Sequence, residues 1–202
     1  GAPKQLIIFL HGVGADGNDL ISLAHEIGPH LPDAQFVSPN APFPCDMAPM
    51  GYQWFSLSDR NPDALLEGVQ DVEPIVNRYI DMQLKMYNVP IEKLGIVSFS
   101  QGTMTALHTM LRRPEPCGAM ACFSGALIGS ELLPDEITSK PPVCLIHGEM
   151  DNVVPFEAMA LASEALSAAG VAHETHACPN VAHGIDPQGL LAAIQFLKKG
   201  LL

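Results

Sequence analysis

The sequence predicts an α/β fold in which residues 1–202 form a single domain. The expected architecture is a mostly parallel central sheet of six or seven strands with helices on both faces. Three observations carry this. Strand-like and helix-like runs alternate along the chain, the pattern of parallel strands joined by helical crossovers. The inner strand-like runs are continuously apolar rather than alternating, as strands buried on both faces are. One of them, Leu94–Phe99, runs straight into a serine among small residues and then a helical pattern.

The elements follow in order. Gln5–Leu10 is apolar and β-rich and opens the sheet. Asn18–His30 carries Leu20, Ile21, Leu23, Ala24 and Ile27 on one helical face. Gln35–Ser38 is a short strand. Residues Pro39–Pro62 form a long loop rich in proline, methionine and aromatics, and long loops in small domains more often serve function than idle. Ala64–Tyr87 repeats apolar residues at helical spacing, with Pro74 as a kink or an internal start. The strand Leu94–Phe99 leads into the helix Gln101–Leu111. The strands Met120–Phe123, Val143–His147 and His173–Cys178 follow, with helices at Phe156–Ala169 and Gln188–Lys199. Gly170 is placed as a helix C-cap, and Lys198 and Lys199 suit a last helical turn. No repeat, linker or low-complexity segment divides the chain.

Composition narrows the class. Hydrophobic residues at 48% against 16% charged argue for a packed core rather than disorder. Ten basic residues against 22 acidic ones leave a net charge of −12, which argues against nucleic acid and anionic membrane as electrostatic partners. The acidity is scattered, as on a solvated surface. Five cysteines, Cys45, Cys117, Cys122, Cys144 and Cys178, are an odd number without a C-x-x-C pair. They suggest neither a disulfide framework nor a zinc site, and those in or beside strands read as buried thiols of a reducing cytoplasm. Cys45 lies in a loop. No signal peptide opens the chain, and no apolar run reaches the roughly 18 residues of a membrane span.

The chemistry is concentrated near strand ends. Ser98-Phe99-Ser100-Gln101-Gly102 has the strand–turn–helix context that lifts a serine hydroxyl above the edge of a sheet. Such a turn needs small neighbours. Gly102 meets that need, while Ser98 stands where the usual pattern has glycine. An acyl-transfer serine needs a base, an acid to orient the base, and donors for the oxyanion. Two acids follow the strand at Val143–His147: Asp151, whose ordinary role would be a turn or cap, and Glu149. Of eight histidines, His173 and His176 lie in a strand, and His25, His30 and His108 lie on helices. His11 and His147 precede glycines at strand ends, where turn geometry suffices. His183 alone sits in a late loop after the acids. Backbone N–H groups of Gln101 and of the glycine-rich loop His11–Gly17, with Val13 its candidate donor, suit an oxyanion hole. That loop matches neither the G-x-x-x-x-G-K-[ST] nor the G-x-G-x-x-G phosphate pattern, so a nucleotide is not indicated. No metal-ligand spacing and no cofactor motif occurs.

Several motifs in order resemble the bacterial carboxylesterases of the phospholipase/carboxylesterase family, relatives of the acyl-protein thioesterases within the α/β-hydrolase fold. They are Phe9-Leu10-His11-Gly12-Val13-Gly14-Ala15-Asp16-Gly17-Asn18, Ala41-Pro42-Phe43-Pro44, Gln53-Trp54-Phe55, Phe99-Ser100-Gln101-Gly102, His147-Gly148 with Asp151 and Val154-Pro155, and His183-Gly184-Ile185. The resemblance implies Ser100 as nucleophile, Asp151 rather than Glu149 as orienting acid, and His183 as base. It implies an oxyanion hole from the Val13 and Gln101 amides, and an acyl pocket bordered by Trp54 and Phe55. It implies a hydrolase of small ester or thioester substrates with apolar acyl chains; relatives often pair as homodimers, though nothing in this sequence fixes such an interface. Acyl-protein thioesterase and lysophospholipase activities are its close alternatives, and a non-catalytic binder of small apolar ligands is the alternative from another class. Relatives carry a segment ahead of the first strand, while this chain starts at Gly1, so an absent edge strand is a further expectation.

Overall fold

The computed structural model describes residues 1–202. Its centre is a six-stranded sheet made of β1 (Gln5–Leu10), β2 (Ala34–Val37), β5 (Leu94–Phe99), β6 (Ala119–Phe123), β7 (Val143–Gly148) and β8 (His173–Cys178). The order is β2-β1-β5-β6-β7-β8, and every neighbouring pair is parallel. The expected α/β class is therefore met with six strands.

Each inner strand buries both faces because its side chains alternate between two cores. In β1, Leu6, Ile8 and Leu10 enter one core with the long helix α3 (Pro62–Tyr87), α4 (Gln101–Met110) and α6 (Glu157–Ala168). Ile7 and Phe9 enter the other, with α7 (Pro187–Leu201) and the short α1 (Gly17–Leu20) and α2 (Ala24–Ile27). This explains the unbroken apolar runs. It also places the site. The helices after β1 and after β5 go to opposite faces, so a crevice opens between these two neighbouring strands at their carboxyl ends. That is the switch point where parallel sheets bind ligands.

Several element boundaries differ from expectation. The helix expected over Asn18–His30 is broken into α1, a 3₁₀ turn at Ile21–Leu23, α2, and a second 3₁₀ turn at Gly28–His30. Pro29 has no N–H to give a continuing helix, and one-turn pieces rely on tertiary packing rather than their own cooperativity. Pro74 is no internal start: α3 runs through it, from Pro62, with Asn61 capping Ala64 N, to Asn88 in the left-handed conformation. A short helix α5 (Leu133–Glu136) was not anticipated. The long loop contains a small antiparallel ribbon, β3 (Phe43–Pro44) with β4 (Tyr52–Gln53). Gly170 follows α6 at φ +69, as its expected C-cap role requires.

All five cysteines are free, and four are buried. Burial pushes the Cys117, Cys122 and Cys144 thiols up to about 12, which leaves them unreactive. No helix is long and apolar enough to cross a membrane.

One buried group ties stability to pH. His108 of α4 is 1% exposed, and burial, aided by the Arg112 guanidinium, pushes its pKa down to about 4. Glu73 Oε2 lies 3.2 Å from its Nε2, yet neither ring nitrogen makes a hydrogen bond. A histidine held neutral in the fold contributes stability that is complete above its unfolded pKa and lost as pH falls through the window from 6.5 towards 4. The expected loss is about 2 kcal/mol between pH 7 and pH 5, before most carboxylates titrate. Thermal melting against pH should show a shallower decline for His108→Gln than for the wild type. Parallel declines would refute the assignment.

Candidate active site

β5 lies between β1 and β6, and Ser100 leaves its carboxyl end at the middle of the sheet. Ser100 has φ 54 and ψ −117, a conformation that costs a side-chain-bearing residue about 1–3 kcal/mol. The surroundings impose it. Ser100 N donates to Phe123 O at 2.9 Å, and Thr103 N and Met104 N return to Ser100 O at 2.9 and 3.1 Å. The chain therefore turns from strand into helix within one residue, and the hydroxyl stands on the rim.

Ser98, the departure from glycine before the serine, is accommodated. Its hydroxyl is fully buried 2.9 Å from Thr103 Oγ1, and Thr103 Oγ1 donates to Phe123 O at 2.9 Å. Since that bond uses the threonine proton, Ser98 donates to Thr103. The extra hydroxyl becomes a tie between β5, α4 and β6.

Two loops bring the other groups. Beyond β7, Asp151 Oδ1 accepts from Val153 N and Val154 N, each at 2.9 Å. Beyond β8, the loop carrying His183 lies against Gly148, where a Cβ would overlap the carbonyls of Val181 and Ala182. Met150 N donates to Val181 O at 2.9 Å and closes the two loops together. His183 Nδ1 then lies 2.7 Å from Asp151 Oδ2, and His183 Nε2 lies 3.0 Å from Ser100 Oγ. The ring packs on Phe99, with centroids 4.8 Å apart. Burial works to raise the Asp151 pKa, but the bond from His183 and the two backbone donors outweigh it and hold the carboxyl below its ordinary value. Glu149, the competing acid, is exposed and does not contact His183.

The loop after β1 approaches Ser100 closely: a Cβ on Gly12 would lie 3.4 Å from Ser100 Cβ. His11 is fully buried. Its Nε2 accepts from Ala41 N at 2.9 Å, so its Nδ1 carries the proton and donates to Gly12 O at 2.7 Å. Burial pushes its pKa down against the pull of that carbonyl, which keeps the ring neutral. In a planar trans peptide the N–H points opposite to the C=O. Fixing the Gly12 carbonyl on His11 therefore turns the Val13 N–H the other way, and this N–H donates to no protein acceptor. Gln101 is the first residue of α4, so its backbone N–H has no partner within the helix.

Sequence reasoning missed three supporting side chains. Gln101 accepts from Trp54 N at 2.9 Å and donates to Phe55 O at 2.7 Å, clamping the long loop to the serine turn. His11 holds the loop after β1, and its carbonyl accepts from Trp54 Nε1 at 2.8 Å. His147 Nε2 donates to Val154 O at 2.9 Å and braces the Asp151 loop. The signal was present: both histidines stand in His-Gly pairs at the ends of buried strands. Trp54 and Phe55 are 3% and 4% exposed and pack in the core. They line a groove of about 430 Å³ that none of Ser100, Asp151 or His183 reaches.

Comparison with known proteins agrees with this architecture. The phospholipase/carboxylesterase family profile matches residues 1–201. The crystal structure of esterase PE8 superposes with a TM-score of 0.95 at 39% identity, covering 100% of this chain and 94% of that one. Esterase YpfH of Escherichia coli is 26% identical over 195 residues, which is 96% of this chain and 82% of that protein. Acyl-protein thioesterase 1 homolog 1 of Dictyostelium discoideum is 26% identical over 207 residues, 96% of this chain and 90% of that protein. With its six-stranded parallel sheet and a family match along nearly its whole length, the chain belongs to the phospholipase/carboxylesterase family of the α/β-hydrolase fold.

Proposed function

We propose that the chain is a serine hydrolase of carboxylic esters or thioesters with apolar acyl chains, acting from Ser100, His183 and Asp151. One observation carries the reading: an unbroken line from Asp151 Oδ2 through both ring nitrogens of His183 to Ser100 Oγ, in steps of 2.7 and 3.0 Å. This is the geometry in which imidazole takes a hydroxyl proton while a carboxylate stabilises the resulting imidazolium.

The reaction has two halves. Ser100 Oγ attacks the ester carbonyl as its proton passes to His183 Nε2, and the carbonyl oxygen gains negative charge. The Val13 and Gln101 amides receive that charge. The carbon–leaving-atom bond breaks, and His183 returns the proton to the departing alcohol or thiol. Water then attacks the acyl-Ser100 ester, giving one proton to His183, and the acid leaves as Ser100 regains its hydrogen. Trp54 and Phe55 brace the two segments that carry the Val13 and Gln101 amides from the core, through the His11 and Gln101 contacts. The free thiols support a reducing compartment, the cytoplasm. The Dictyostelium relative is named a thioesterase, so thioesters are tested beside oxygen esters.

The test is hydrolysis of p-nitrophenyl butyrate and of a butyryl thioester, with a fluorophosphonate adduct mapped by mass spectrometry. Turnover with one adduct on Ser100 is expected. An adduct on another residue, or folded protein that neither turns over nor labels, would overturn the reading. Asp151→Asn should lower kcat by about 10⁴ while labelling slows in proportion, because the ring loses its tautomer and its charge partner. An Asn variant within tenfold of wild type would remove Asp151 from the mechanism.

A further inference from the structure

Two adjoining hollows lie beside the site on the face that carries α1, α2 and α7; Ser100, Asp151 and His183 line neither, and Phe99 and Ile185 connect them to it. The first, of about 270 Å³, is lined by Asp19, Leu20, Ser22, Leu23, Phe99 and Ile185. The second, of about 560 Å³, shares Leu23 and Ile185 and continues along Leu190, Leu191 and Ile194. Together they form one apolar groove. Its head is built from the neighbours of the reacting groups: Phe99 precedes Ser100 and packs on His183, and Ile185 follows His183 by two residues.

We propose that this groove receives the leaving group of the substrate, and that this group is an extended apolar alcohol without negative charge. The inference rests on the serine-hydrolase reading above. Its first support is directional. The carbonyl oxygen of a bound ester faces the Val13 and Gln101 amides. The leaving oxygen must reach His183 Nε2 to be protonated, so what it carries lies on the His183 side. The groove begins on that side. The second support is chemical. The floor is leucine and isoleucine, whereas Asp19, Glu26 and Asp186 stand along the lining with His30 as the sole basic side chain. A neutral or cationic alcohol matches this lining, and a polyanionic thiol such as coenzyme A is repelled by it, in a chain whose net charge is −12. The third is exposure. Leu191 is 50% exposed at the open end, apolar surface that a bound chain would cover.

The experiment varies the two ends of the ester independently. With the acetyl group fixed and the alcohol lengthened from methyl to hexyl, kcat/KM is expected to rise about two- to fourfold per methylene until the groove is filled. Leu23→Trp, which fills the groove, and Leu191→Glu, which charges its open end without touching the core, should each lower the hexyl-to-methyl ratio about tenfold or more. Glu26→Lys should raise the rate on acetyl-coenzyme A relative to a neutral acetyl thioester. A flat alcohol series in protein that labels at Ser100 and hydrolyses methyl acetate overturns the groove assignment and leaves the hydrolase reading standing. So does a steep series that neither variant alters, or variants that change an acyl-length series of methyl esters instead. Folded protein with no labelling and no turnover of any ester removes both.

Discussion

Ser100→Ala is expected to lower ester hydrolysis by about 10⁴- to 10⁶-fold and to abolish fluorophosphonate labelling, with the fold intact. The magnitude follows from the arrangement. His183 has no other hydroxyl within reach to deprotonate, and removing any member of such a line disables the line as a unit. What remains is the background from the Val13 and Gln101 amides acting on a water-mediated attack. Stability is not the reason for the loss, because the Ser100 side chain makes one hydrogen bond, to His183, and alanine keeps the same Cβ. A second variant separates chemistry from strain. Ser100→Gly loses the hydroxyl equally but relieves the φ 54, ψ −117 conformation, which only a residue without Cβ adopts freely. It should be equally inactive, yet more stable than Ser100→Ala by about 1 kcal/mol. If Ser100→Ala retained esterase activity within tenfold of wild type, Ser100 would not be the nucleophile. If the glycine variant were the less stable of the two, the backbone at Ser100 would not be strained.

The fold was legible where burial dictates sequence. Strands enclosed on both faces have to be largely apolar, so β1, β5 and β7 announce themselves, whereas the edge strand β8 is mostly polar and carries no such run. The segment after β1 was not legible as a broken helix. Its apolar residues keep helical spacing through α1 and α2, and the 3₁₀ interruptions follow from docking against the sheet, which periodicity does not record. The ribbon in the long loop escaped for a related reason. Four residues carry little pattern, and what fixes it is nonlocal: Gly14 N donates to Tyr52 O and Tyr52 N to Ala15 O, each at 2.8 Å.

The candidate site divides along the same line. Ser100 carries a local signature, because a strand, a small-residue turn and a helix are contiguous. Asp151 and His183 have none of that strength: Glu149 competes with Asp151 two residues away, and eight histidines compete with one another. Only the family resemblance chose between the acids, and the stitching of the Gly148 and Val181 segments shows why Asp151 rather than Glu149 meets the ring. His11 and His147 left a trace as His-Gly pairs at strand ends, but the supporting roles of His11, His147 and Gln101 were not legible from sequence, because each acts by bonding backbone from a distant or adjoining loop. A buried polar side chain needs partners, so their burial at 0%, 2% and 0% is the structural mark of that work.

Gly102→Ala is expected to damage both fold and site through a single methyl group. The sequence suggests that glycine serves the turn itself, but the space is taken by another strand. A Cβ at residue 102 would overlap the carbonyl oxygen of Leu10 and crowd that of His11. Neither is a flexible side-chain tip. Leu10 closes β1, which is held by β2 on one side and β5 on the other, so the strain cannot be shed by a rotamer change. Either α4 lifts from the sheet or the end of β1 moves, and both cost native packing. The expected destabilisation is about 3 kcal/mol or more. For a domain of this size that lowers Tm by about 6–12 °C. The residues displaced are those that aim the Val13 amide, since His11 holds the Gly12 carbonyl from the segment being pushed. The folded fraction should therefore also lose about 10²- to 10³-fold in kcat, as when one oxyanion donor is removed, with KM moving less. Gly28→Ala supplies the contrast. Its added methyl meets only Phe36 at 3.9 Å, and although Pro29 disfavours the helical φ of −53 for a side-chain-bearing residue ahead of it, the gain from a less flexible unfolded chain offsets this, so the change should cost no more than about 1 kcal/mol. If Gly102→Ala melted and turned over like Gly28→Ala, the contact between α4 and β1 would not be what holds the serine turn against the loop that carries Val13.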